Sequence, residues 1–387
     1  MDFELTEEQK IFRDQIRNFA ETEIAPLVEE AEETETTPIE LFPKMGKLGY
    51  LGITYPEEYG GAGADKITEC ILIEELNKVC AGIAGAVSTT HSGLGTRAIY
   101  QFGSEEQKQR FLVPAIRGEK IAAFALTEPD AGSDALAMKT RAVKRDGKYI
   151  LNGSKMFISN GTFCDFVPVA CYTTDPKEVK KRGEGISLIV VEKGMEGLTA
   201  NKLKKVGNRS HETAELHFED VEVPEENLIG VEGEGLKQVL ATLETARISY
   251  GARATGLAQS AYELSYKYAH ERIQFGRPLA QFQATKFKLA NMAINIEAMR
   301  TMTYKAAWLY DQGKKCMKEA SMVKVFTCEL VQHLMLDALS IFGGYGYMRE
   351  YPIERLWRDA KMLNITEGTT DINLLTVARE LQIGRRS

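Results

Sequence analysis

Apolar residues recur at helical spacing from the start of the chain. Phe12, Ile16 and Phe19 share one face behind a Thr6–Gln9 capping-box pattern, and Pro26 is expected to stop that helix. The segment YPEEYGGAGA from Tyr55 to Ala64 is too rich in Gly and Pro to stay helical and predicts a loop. ITECILIEELNKV then resumes helical spacing, and a second helix-rich stretch reaches Pro114. From about Ile121 the period changes, because YILNGSKMFIS, GISLIVVE and AELHFEDVEV carry alternating or continuous apolar runs rich in β-branched and aromatic residues. Asp146-Gly147, between Arg141–Lys144 and Tyr149–Leu151, predicts a type I′ hairpin turn, which needs positive φ at both positions. This texture ends near Pro224. Long helices return over roughly 236–270, 282–312 and 317–342, with shorter ones after Pro352 and Thr370, the pattern of a bundle. The order of helices, sheet and helices divides the chain into 1–120, 121–232 and 233–387, a multidomain α+β organisation.

Composition narrows the function. A chain of 387 residues with 44% hydrophobic content exceeds the length that one core usually serves. A net charge of −7 disfavours nucleic acid or an anionic membrane as the main partner. The acidic, amphipathic start MDFELTEEQK is expected to be neither a signal nor a transit peptide. No apolar run is expected to span a bilayer, so the sequence predicts a soluble, cytoplasmic protein without membrane insertion. Six cysteines lie scattered without CxxC or Cys/His spacing, so no metal site and no disulfide framework is expected.

Four segments could carry chemistry. ALTEPDAGSD, residues 125–134, falls where a strand-like run meets a Gly-containing turn, which frees backbone N–H groups and hydroxyls for a polar ring edge or a phosphate. Alternation along KMFISNG, residues 155–161, puts Phe157 and Ser159 on one face, a ring and a hydroxyl suited to a flat cofactor. SIFGGYGY, residues 340–347, ends an apolar helix on three glycines, more than a C-cap needs. NITEGTTD, residues 364–371, sets Glu367 before Gly368 in a loop between two helices, with Thr369 and Thr370 able to cap the second.

Together and in this order, the segments resemble the acyl-CoA dehydrogenase family along the whole chain. ALTEPDAGSDALA is similar to the family's first signature and GGYGYMREYPIERLWRD to its second, with Glu350, Arg355 and Asp359 in register and the right spacing to ITEGTTDIN. The resemblance implies an N-terminal helical domain, a middle β-barrel or sandwich domain and a C-terminal four-helix bundle. It also implies FAD held between the last two and across the subunit boundary of a homotetramer or dimer. Phe124, Leu126, Thr127, Gly132 and Ser133 would bond the flavin and the near end of CoA, Phe157 would cover the ring, and Ser159 would reach flavin N5. Arg272, Phe275 and Gln283 would hold the diphosphate and adenosine of a neighbour's FAD, with Ser340, Gly343 and Gly344 on the same half. Thr369 and Asp371 would close over the FAD, while Ser133, Glu244, Arg247 and Gly368 face the acyl-CoA.

The resemblance further implies that Glu367 abstracts the α proton while a hydride passes to the flavin, giving the trans-2-enoyl-CoA, with electrons then taken by an electron-transferring flavoprotein. Burial is expected to raise the Glu367 pKa towards neutrality. Ala246 stands where one branch of the family places its base instead. The departures are Ser340 for an acid or amide, Thr366 for a large residue before the base, and Phe157 for Trp. The alternatives are an enoyl-CoA reductase of the same fold, an oxidase, and a flavoprotein that binds without dehydrogenating. The acyl chain should lie between the segments around Val87–Leu94 and 240–250. AGAVSTTHSG offers no Arg for a second carboxylate, Arg97 lies slightly beyond, and His91 is expected to be a core or rim residue.

Overall fold

The computed structural model describes residues 4–91 and 93–384, with side chains at all of these but Thr90 and His91, so the expectation for His91 lies outside the described side chains. The helices of the first part are α1 (Glu7–Phe19), α2 (Val28–Thr34), α3 (Leu41–Lys47), α4 (Lys66–Val79), α5 (Ala81–His91), α6 (Leu94–Phe102), α7 (Glu105–Gln107) and α8 (Val113–Ile116). The capping box at Thr6 forms as its pattern requires: Gln9 N–H donates to Thr6 Oγ1, and the Gln9 amide accepts from Thr6 N–H. Pro26 does not stop the chain's helical path. The backbone widens over Ala20–Ile24 and tightens over Ala25–Leu27, where the proline occupies the first turn and no N–H is missed.

Six strands follow: β1 (Arg141–Arg145), β2 (Lys148–Ser159), β3 (Phe166–Tyr172), β4 (Ile186–Glu192), β5 (Leu198–Lys202) and β6 (Thr213–Pro224), in the spatial order β4-β3-β1-β2-β6-β5. Asp146 and Gly147 both take positive φ, 48° and 77°, and join β1 to β2. A single parallel pair, Arg141 with Tyr172, links the β3–β4 leaf to the other four strands. Val167, Val169 and Cys171 share one core with Tyr149, Leu151, Leu216 and Val221 from the opposite leaf, so the sheet folds over its own interior. The alternate residues Phe166, Ala170 and Tyr172 pack against Phe111 and Ile116 of the helical part, which explains why β3 is buried on both faces.

The last part holds α9 (Gly235–Glu271), a short hairpin of β7 (Ile273–Gln274) and β8 (Arg277–Pro278), α10 (Gln283–Asp311), α11 (Met317–Phe342), α12 (Pro352–Lys361) and α13 (Thr370–Glu380). Leu257, Met292, Val331 and Leu334 from α9, α10 and α11 form one core, with α13 packed on α11 as the fourth helix. Here one expectation is corrected: the span Met317–Tyr347 is long and apolar enough by composition to cross a membrane. Val323, Cys328, Val331, Met335 and Ala338 spend that apolarity inside the protein, and Lys324 and Glu329 interrupt it. All six cysteines are buried and unpaired.

Candidate active site

Glu367 occupies the loop between α12 and α13 with φ of 55°, followed by Gly368 at 84°. A side chain in this region costs roughly 1–2 kcal/mol, so the loop must be held by its surroundings. Asn373 Nδ2 donates to the carbonyl oxygens of Gly368 and Thr369 at 2.8 and 3.1 Å, and Thr369 caps α13 by accepting from Ile372 N–H. Thr366, the small residue before the acid, hydrogen-bonds the Tyr250 hydroxyl at 2.8 Å. Glu367 Oε2 is buried without a partner. Burial raises the carboxyl above its ordinary range, opposed by the positive charges of Lys324, Arg247 and Arg253, the direction expected from sequence.

The cations come from α9 and α11. Arg247 is buried, donates to Ser321 Oγ at 3.0 Å, and approaches Gly368, whose added Cβ would lie 3.7 Å from its guanidinium. Lys324 donates to the Leu363 carbonyl and sits over the Tyr250 ring. Glu244 accepts from Cys316 N–H at 2.8 Å, so one of its oxygens serves the start of α11. Ala246, beside them, offers no acid.

A second group gathers in the sheet region. Phe124 is buried in the core, and its neighbours Ala123 and Ala125 make the bonds to β3. Leu126 and Thr127 are half-buried, whereas Gly132 and Ser133 are exposed. This loop is fixed from below by a buried ion pair, Lys155 Nζ to Glu128 Oε1 at 2.8 Å, with Lys155 also donating to the Leu126 carbonyl. The Thr127 carbonyl accepts from Met156 N–H. Simple alternation along β2 does not hold here. Between Lys155, paired with Leu216, and Ile158, paired with Ala214, β2 carries one extra residue. The bulge turns Phe157 to φ of 64° and leaves it 65% exposed, while Lys155 and Ile158 share the buried side and Ser159 is half-buried.

The third group lies at the far end of α9. Arg272, Gly343, Gly344 and Tyr345 line a cavity of about 470 Å³ together with Tyr268 and Phe342. Gly343 has positive φ and caps α11, and Gly346 approaches Phe342, but Gly344 has neither constraint, and a Cβ at 343 or 344 would meet nothing within 4 Å. Ser340 is exposed and accepts from Lys288, Gln283 is exposed, and Phe275 is 94% exposed at φ of 51°; Asp371, also exposed, stands apart from them in the first turn of α13 beside the Glu367 loop. No hydrogen bond or ion pair among the described residues joins this group to the other two.

The comparisons decide what this constellation belongs to. Family models for the N-terminal, middle and C-terminal domains of acyl-CoA dehydrogenase match residues 6–119, 123–221 and 233–382. The chain belongs to the acyl-CoA dehydrogenase family. It is 45% identical to an acyl-CoA dehydrogenase of Bacillus subtilis over 97% of this chain and 98% of that one. It superposes on butyryl-CoA dehydrogenase of Megasphaera elsdenii with a TM-score of 0.94 at 40% identity, covering 99% and 100% of the two chains. A chain in the structure reported for the electron transferring flavoprotein of Acidaminococcus fermentans gives a TM-score of 0.95 at 44% identity, covering 99% and 100%. This acyl-CoA dehydrogenase is thus a flavoprotein oxidoreductase by family, with the fold expected from its signatures. Residue patterns alone missed the Lys155–Glu128 pair, Lys324, Tyr250, Arg253 and His211. Glu128 stood within the first signature but read as a loop acid, Lys155 opened the second segment on β2 but its burial was not read, and the others lie on helices or in a loop with no motif around them.

Proposed function

We propose that this acyl-CoA dehydrogenase uses Glu367 to take the α proton of a short acyl-CoA, with FAD as its flavin and an electron-transferring flavoprotein as acceptor. The observation that carries the reading is the buried, unpartnered Oε2 of Glu367 in a left-handed loop position ringed by three cations. Desolvation strengthens it as a base, and Lys324, Arg247 and Arg253 keep a fraction ionised. Among the described residues the Glu367 backbone N–H has no hydrogen-bond acceptor, so it can donate to the thioester oxygen as negative charge develops there. FAD, when bound, supplies the hydride acceptor.

The residues fit that group. Phe157 offers an uncovered ring, Leu126, Thr127, Gly132, Ser133 and Ser159 offer polar groups beside it, and Gly343 and Gly344 leave an open cradle with Arg272 at its edge. We assign Phe275, Gln283, Ser340, Thr369 and Asp371 to the same cofactor. Ser133, Glu244, Arg247 and Gly368 are assigned to the substrate. The exposed Phe275 suits a homotetramer built from units 1–120, 121–232 and 233–387. Short-chain use and electron transfer draw support from the Megasphaera and Acidaminococcus likenesses. The test is Glu367→Gln, read by anaerobic flavin bleaching. It should retain bound flavin and lose reduction by acyl-CoA by a factor of about 10³ or more. Bleaching at the normal rate would rule Glu367 out.

A further inference from the structure

One of the cations that help keep Glu367 ionised has hydrogen-bond donors that the reaction just described leaves unused. Arg253 is 3% exposed, yet among the described residues its Nε and Nη2 have no hydrogen-bond partner and it forms no ion pair; its guanidinium lies over the Tyr250 ring, 4.8 Å from the centroid. His211, from the loop between β5 and β6, is also 3% exposed, and neither ring nitrogen has a partner. The two meet at Gly85 of α5. A Cβ there would lie 2.6 Å from Arg253 Nη2 and 2.9 Å from His211 Nδ1, so the absent side chain is what admits both groups. A glycine inside a helix costs roughly 1 kcal/mol against alanine.

The line of α9 shows where this spot lies relative to the base. Arg247, Tyr250 and Arg253 follow at intervals of three, which keeps them along one side of the helix. Arg247 adjoins Gly368, Tyr250 bonds Thr366, and Arg253 reaches Gly85. Arg253 is therefore about 9 Å further along the helix axis than Arg247, given 1.5 Å of rise per residue, a distance that several methylenes span. An isolated buried guanidinium is strongly disfavoured unless an anion meets it in the working complex. Glu367, the nearby carboxylate that its charge influences, forms no ion pair with it and must stay free for the proton.

We propose that Arg253, with His211 beside it where both pack on Gly85, receives a carboxylate at the far end of the acyl chain, so that the preferred substrate is an acyl-CoA with a terminal acid. The inference rests on the dehydrogenase reading with Glu367 as base and names the substrate class of that same site. It departs from the expectation that a dicarboxylic acyl group is disfavoured for want of an Arg in AGAVSTTHSG: here the cation arrives from α9, across Gly85.

The experiment uses the FAD-loaded enzyme and short straight-chain acyl-CoAs offered in pairs, one ending in methyl and one of equal length ending in carboxylate. The wild type should show the higher kcat/KM for the carboxylate member. Arg253→Gln should lower that value by about 10²-fold, in line with losing a buried charge pair, and reverse the preference, while Arg253→Lys should recover part of it. Gly85→Ala, which favours the helix, should also erode the preference by displacing the guanidinium. A wild-type preference for the methyl member, or equal losses on both members in Arg253→Gln, would overturn the inference and leave the dehydrogenase standing. Failure of every pair to bleach the wild-type flavin would instead remove the reading beneath it.

Discussion

Lys155 Nζ lies 2.8 Å from Glu128 Oε1 with both side chains buried, and this pair ties the signature loop to the strand that carries Phe157. Glu128 also accepts from the N–H groups of Lys139 and Thr140. Glu128→Gln leaves a buried ammonium facing an amide, at a cost of about 3–5 kcal/mol. Thermal unfolding should shift down, and flavin content after purification should fall with it. Full flavin occupancy at unchanged stability would show that the pair does not hold the loop.

Lys324 is the largest favourable charge acting on Glu367. The base works only when deprotonated, so flavin reduction should fall as pH drops through the raised Glu367 pKa. Lys324→Met removes the cation without emptying its volume, and the acid limb of the pH–rate profile should move to higher pH. An unmoved limb would place the titration elsewhere.

Asp359 is buried, and desolvation followed by the charge of Glu32 raises its carboxyl to about 7. Among the described residues Asp359 Oδ2 and Glu32 Oε2 both lack hydrogen-bond partners, and Arg358 Nη1 stands 4.0 Å from Glu32 Oε2. The native state therefore binds a proton that the unfolded chain releases near pH 4, so this group's contribution to stability declines as pH rises from about 4 to 7 and is level above. Asp359→Asn should flatten that part of the stability profile, measured by thermal shift across the range. Asn208 N–H can still donate to the amide oxygen that replaces Asp359 Oδ1.

Gly344 has ordinary φ and open space where a side chain would go. Gly344→Val should leave the unfolding temperature of the flavin-free protein close to that of the wild type while sharply reducing FAD retention. Equal retention would mean that the cavity beside it holds nothing the enzyme needs.

The elements were legible where local chemistry decides them: the Thr6 cap, the Asp146-Gly147 turn and the three long helices all follow from residues close in sequence. Glu367 was legible because Gly368 and the two threonines mark its loop, and its raised pKa follows from burial. Two local readings failed. Pro26 sits where a helix tolerates proline, and the bulge in β2 depends on pairing with β6, some sixty residues away. Two of the cations around Glu367, and the histidine beyond them, were also out of reach. Arg253, Lys324 and His211 come from three elements that only packing brings together, and none has a local pattern to mark it.

The extra residue in β2 has a consequence for how this protein tolerates change. Removing Phe157 would let Met156 alone separate Lys155 from Ile158, restoring plain alternation against β6. A deletion in a central strand usually throws half its side chains to the wrong face. Here it would mend the ladder and delete the ring assigned to the flavin, so selection for stability and selection for chemistry pull this one codon in opposite directions.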